Sequence, residues 1–161
     1  MTVEIEGEVF NVHSVVMRHG SEYFRGLLAN AAGRGGKAKA KLHFSLSNLD
    51  SFSIGPRSFR VVLDFIYTGH AIVSASELKA LGQWPDDWSD QSILVAVLGI
   101  ADYMSLDSMV DAYTQLFKQR LTPETVVAGL GLIGDIDGLH AARKAAMVYF
   151  VENVPLMKVL R

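Results

Sequence analysis

The sequence predicts an α+β fold, a small three-stranded sheet flanking a cluster of helices, with extra helices towards the C-terminus. Apolar and polar residues alternate at Val3-Glu4-Ile5 and again at Leu42-His43-Phe44-Ser45-Leu46, the two-residue period of strands packed on one face. Elsewhere the apolar period is helical, most clearly at Phe59, Val62, Leu63 and Ile66. Glycine- and proline-bearing stretches separate these segments. The 161 residues suffice for one domain, or one domain with a short appendage. A chain of this size buries about two-thirds of its extended surface, so a core is available without disulfides or metal.

Thr2 to Asn11 reads as a hairpin in which Gly7 supplies the turn and Val9-Phe10 resume the apolar pattern. A short apolar segment, Val12 to Met17, follows, and Ser21 stands where a helix N-cap belongs. Tyr23, Phe24, Leu27 and Leu28 then share one helical stripe. Residues 31–41 lack periodicity and hold three glycines, which predicts a mobile loop. After the strand at 42–46 and Gly55-Pro56, the helix from Phe59 to Tyr67 is closed by Gly69.

The segment 82–91, GQWPDDWSDQ, interrupts the order with Pro85 and three aspartates. Helices are predicted over Ile93–Met104 and from about Asp107, the latter with Met109, Tyr113, Leu116 and Phe117 on one face. Thr122-Pro123 reads as a cap with proline at the first helical position. Leu139, Ala142, Ala146 and Phe150 outline a last helix, stopped near Pro155.

Composition excludes several functions. With no cysteine, disulfides, thiolate zinc sites and cysteine nucleophiles are ruled out. Fifteen Lys and Arg against 17 Asp and Glu rule out a bulk polycation, so nucleic acid is not an expected partner. Glu4, Glu6 and Glu8 near the start contradict a secretory leader. The longest apolar run, Ile93 to Ala101 with Gly99 inside it, is about half of a membrane span. An intracellular protein, cytoplasmic or nuclear, is expected.

Four features invite a chemical reading. Gly129-Leu130-Gly131-Leu132-Ile133-Gly134 is a literal GxGxxG after the strand-like Val126-Val127. In a dinucleotide fold such glycines bring backbone close to a pyrophosphate. Here Asp135 and Asp137 would set negative charge beside it, and two helices broken by glycine is the better account. The five histidines have no metal-ligand spacing, and no GxSxG, HExxH or phosphate loop is present. Arg34, Lys37, Lys39 and Lys41 form a basic stretch best read as a solvated loop. Trp84 and Trp88 stand among Asp86, Asp87 and Asp90. Exposed, they would form a partner loop; folded down, a lid over the helices.

Four further segments carry a resemblance when taken in order: Val9-Phe10-x-Val12-His13, Ser21-x-Tyr23-Phe24-Arg25-x-Leu27-Leu28, Ser58-Phe59 through Asp64-Phe65-Ile66-Tyr67-Thr68-Gly69, and Ala101-Asp102-Tyr103-Met104-x-Leu106. In that order and spacing, residues 2–120 resemble the BTB/POZ domain family. The resemblance implies a helical cluster with a small sheet and a non-catalytic protein–protein interaction module, with neither cofactor nor metal. Residues 1–120 would form the domain. Residues 121–161 resemble the helical extension that follows it in cullin adaptors.

Family members form homodimers or higher oligomers, and many link a cullin scaffold to a ubiquitin-ligase substrate. Others recruit transcriptional corepressors or assemble channel subunits. By resemblance, Val15, Val16, Met17 and Tyr23 lie on the dimer face, and Leu28, Asn30, Tyr103 and Met104 face the cullin. Three departures stand out. The chain begins too late to hold the strand that dimeric members exchange, Ser14 replaces a common basic residue, and Asn30 stands where the cullin motif has glutamate. The resulting expectation is a cullin-type adaptor whose substrate-recruiting part lies outside these residues. The alternative is a self-assembly module without cullin binding.

Overall fold

The structure is a computed structural model that describes residues 1–33, 43–46, 55–84, 86–134 and 139–154. The basic stretch Arg34 to Lys41, Leu42, Pro85, Asp135, Asp137 and Pro155 lie outside the described residues.

The sheet has β1 (Thr2–Ile5) at its centre, β2 (Glu8–Asn11) antiparallel on one side and β3 (His43–Leu46) parallel on the other. Val3 pairs with Phe10 across the hairpin and with Phe44 across the parallel edge. The two residues between β1 and β2, Glu6 and Gly7, both have positive φ, at 48° and 83°. That backbone matches the twist of antiparallel strands in a two-residue hairpin. Val3 and Ile5 are wholly buried, as their alternation predicts. On β2 Val9 faces outward, while Phe10 meets Phe59 edge-on at 4.9 Å between ring centroids.

Two helices, α1 (Ser14–Gly20) and α2 (Glu22–Gly33), follow the hairpin in sequence. Helix α2 therefore runs through residues 31–33, where the sequence predicted loop. Helix α3 (Pro56–Thr68) starts with proline in its first turn and ends on Gly69 at φ 73°, whose N–H donates to the Phe65 carbonyl at 2.8 Å. Phe59 and Val62 are buried with Val61, whereas Leu63 and Ile66 are only partly so.

Helix α4 (Ala75–Gly82) has no counterpart in the predicted elements. The Ser74 hydroxyl caps it by accepting from the Glu77 N–H at 3.4 Å. Helix α5 (Asp90–Tyr103) is the true centre of the fold: Gln91 and every residue from Ile93 to Ala101 are buried. A helix apolar on all sides must be surrounded. Helices α3, α4, α6 and α7 all pack on it.

Helix α6 (Asp107–Gln119) buries Met109, Tyr113, Leu116 and Phe117, the face the sequence predicts. Helices α7 (Val126–Ile133) and α8 (His140–Asn153) pack on each other, α7 also on α5 and α8 also on α6. The Thr122 and Thr125 hydroxyls each accept from the other residue's N–H, at 3.3 and 3.0 Å, closing the turn before α7. Val126 and Val127 are consequently helical rather than strand-like.

The glycine motif resolves as packing. A Cβ on Gly129 would sit 3.2 Å from the Phe117 ring and 3.3 Å from the Gln91 side-chain oxygen, so glycine lets α7 approach α5 and α6 closely. Gly134 ends α7 at φ 46°.

Candidate interaction surface

The turn between α1 and α2 is tied to the far end of α5 by one side chain. The buried Ser21 hydroxyl donates to the Met104 carbonyl at 2.8 Å and accepts from the Phe24 N–H at 3.3 Å. The N-cap predicted at Ser21 is thus present, and it serves a tertiary bond as well. Beside it the Tyr23 ring packs on Phe24 and Tyr103, at 5.3 and 5.2 Å between centroids. Burial, and then the hydrogen bond to the Tyr103 hydroxyl, raise the pKa of the Tyr23 phenol.

His13 precedes α1 without capping it through its side chain. Its N–H donates to the Tyr67 hydroxyl at 2.9 Å, and its Nδ1 lies 2.9 Å from the same oxygen. With the hydroxyl oxygen accepting from the N–H, its own proton is directed to Nδ1, which selects the Nε2–H tautomer of a neutral ring. His13 is therefore a structural link between the start of α1 and the end of α3.

The residues expected on a dimer face divide into surface and core. Val15 is 67% exposed, and Val16 and Tyr23 are partly exposed. Met17 is wholly buried and offers no side chain to a second copy, because it turns inward one helical turn before Ser21. The cullin-facing set divides in the same way. Asn30 is exposed, Leu28 partly exposed and Tyr103 42% exposed, while Met104 is wholly buried. Tyr23 and Tyr103 come from different expected sets, yet their rings touch, so the exposed members of both sets meet on one continuous face.

The tryptophans form a lid rather than an exposed pair. Trp84 is 6% exposed, Trp88 is partly buried, and their rings lie 4.9 Å apart. Cations anchor the loop: the Arg57 Nε–H donates to the Gln83 carbonyl at 3.1 Å and the Lys79 ammonium to the Asp86 carbonyl at 2.9 Å.

Sequence reading missed a basic concavity of about 450 Å³ lined by Val15, Arg18, His19 and Arg25. The available signal was three basic side chains within eight residues, Arg18 to Arg25, with Glu22 as the single acid among them. At the other end of the fold the Asp102 carboxyl titrates above the usual carboxylate range. Burial contributes most to this, then repulsion from Asp107, and His140 opposes both. Among the described residues, no group of three His, Asp or Glu could hold a metal ion. No helix among them is long and apolar enough to cross a membrane.

Comparison with known proteins agrees with this geometry. The human protein "Hypermethylated in cancer 1 protein" is 30% identical over 119 residues, 74% of this chain and 14% of that protein. Zebrafish (Danio rerio) "Hypermethylated in cancer 2 protein" is 31% identical over 118 residues, 73% of this chain and 17% of that protein. Human "Kelch-like protein 6" is 23% identical over 149 residues, 92% of this chain and 20% of that protein. The chain thus spans a fifth or less of the length of these relatives. The family pattern of the BTB/POZ domain matches residues 1–121, through every element that builds the surface described above. The chain belongs to the BTB/POZ domain family, a family of protein–protein interaction modules.

Proposed function

We propose that this chain is the adaptor module of a cullin-based ubiquitin ligase, self-associating through the exposed part of its α1–α2 face and holding the scaffold beside Tyr103. The observation that carries the reading is the similarity to Kelch-like protein 6. It covers 92% of the chain and so extends beyond residue 121, where the family match ends. Helices α7 and α8 lie in that additional stretch and pack on α5 and α6, as expected of a helical extension that enlarges a scaffold-facing groove. Leu28, Asn30 and Tyr103 are the side chains available for the scaffold. The substrate would be recruited by a region outside these residues.

A second reading, a self-assembly module that binds no cullin, is favoured by two facts. Asn30 brings no charge where the adaptor motif has an acid, which removes a charge-assisted contact. Met104 is buried and offers no side chain.

The test is a calorimetric titration with the N-terminal domain of a cullin scaffold. Micromolar or tighter binding, weakened about tenfold by Tyr103→Glu, supports the adaptor. No heat and no complex leave the self-assembly module.

A further inference from the structure

We infer that the concavity lined by Val15, Arg18, His19 and Arg25 is a docking site for an acidic peptide segment of a partner protein, with carboxylates on the basic side chains and an apolar residue against Val15. Charge complementarity carries the inference. Most neighbouring cations of the fold are already engaged: Arg57 on the Gln83 carbonyl, Arg60 on Glu8, Lys79 on the Asp86 carbonyl and Arg120 on Asp90. Arg18 and His19 are exposed and have no hydrogen bond or ion pair among the described residues. Arg25 pairs with Glu22 one turn away, but both side chains are more than half exposed, at 54% and 62%. A surface pair of that kind is weak and can be exchanged for an incoming carboxylate.

The geometry suits a peptide side chain. Arg18 and His19 sit in the last turn of α1, and Arg25 projects from the first half of α2. Two helices therefore present cations to one hollow of about 450 Å³. Val15 contributes an apolar wall that is 67% exposed. Cations and an apolar wall together fit a segment in which acidic and aliphatic residues alternate. Arginine also favours carboxylate, since its planar fork accepts both oxygens.

The site shares Val15 with the proposed self-association face without depending on it, so the two are read separately. The probe is a twelve-residue synthetic peptide of alternating Asp, Glu and Leu, titrated into the isotope-labelled full chain while amide shifts are followed. The expected result is saturable shifts confined to the segment from Val15 to Arg25. Arg18→Gln or Arg25→Gln should weaken the affinity about tenfold each, and added salt should weaken it further. Both side chains are exposed, so circular dichroism should show both variants folded.

The proposal is overturned if the Asn/Gln/Leu counterpart peptide binds equally well, if the shifts fall elsewhere, or if none appear at millimolar peptide. It is also overturned if inorganic phosphate alone reproduces the shifts where the peptide does not, which would make this a phosphate site. Sedimentation of the same variants reports self-association independently. If Arg18→Gln changes only the oligomeric state and leaves peptide affinity intact, the hollow belongs to contacts between copies.

Discussion

The Ser21 hydroxyl donates to the Met104 carbonyl at 2.8 Å, joining the α1–α2 turn to the end of α5 across 83 residues of sequence. Because the same oxygen accepts from the Phe24 N–H, one buried group caps α2 and also fixes where α2 meets the central helix. Tyr23 and Tyr103 flank this bond, so the exposed face inherits its geometry.

Replacing Ser21 with alanine removes both bonds and leaves a carbonyl and an N–H short of partners. A loss of about 1–3 kcal/mol is expected in urea unfolding. A change below about 0.5 kcal/mol would show that the bond is incidental.

The Trp84 indole lies over Gly82, where any Cβ would overlap the ring. Gly82→Ala should expel Trp84 from its buried site. Emission should then shift to the red, acrylamide quenching should rise, and stability should fall by about 1–3 kcal/mol. Unchanged fluorescence would mean that α4 moves instead of the ring.

Tyr113 predicts an alkaline limit to stability. Burial pushes its hydroxyl up to about 12, against a lesser opposing effect from the hydrogen bond with the Ile72 N–H. The unfolded phenol titrates near 10, so between those values the folded state holds a proton that the unfolded state has lost. Stability from this group is complete below about pH 10 and declines as pH rises through about 12, by on the order of 1 kcal/mol. Tyr23, shifted in the same direction, adds to the decline. Tyr113→Phe should flatten the alkaline limb while lowering stability at neutral pH, because the Ile72 N–H loses its acceptor. An unaltered alkaline limb in that variant would assign the effect to other groups.

Surface and core positions on α1 should separate cleanly. Val15→Asp is expected to reduce self-association, read by sedimentation velocity, with stability within about 0.5 kcal/mol of the parent. Met17→Ala instead leaves a cavity and should cost about 2–5 kcal/mol. If Val15→Asp leaves the sedimentation profile unchanged at every concentration, the α1 face does not mediate self-association.

Local signals were read well where they were strong. The hairpin, the glycine that ends α3 and the buried face of α6 each follow from residues adjacent in sequence or one helical turn apart. Helix α4 was missed although Ser74 and Glu77 have the spacing of a capping box, because its eight residues carry little apolar pattern. At Val126-Val127 the apparent strand gave way to a helix organised by the Thr122–Thr125 turn. The basic hollow could not be read from one segment, since its lining is shared between two helices meeting at an angle.

The sequence by itself determined the α+β class, the order of most elements, the absence of cysteine chemistry and the family. All of these rest on residue type and short-range periodicity. Tertiary structure decided which side chains a partner can reach. Met17 and Met104 occupy positions equivalent in pattern to their exposed neighbours Val15 and Tyr103, yet they are buried. A helix has two sides, and only the packing of α1, α2 and α5 around the Ser21–Met104 bond determines which side faces solvent.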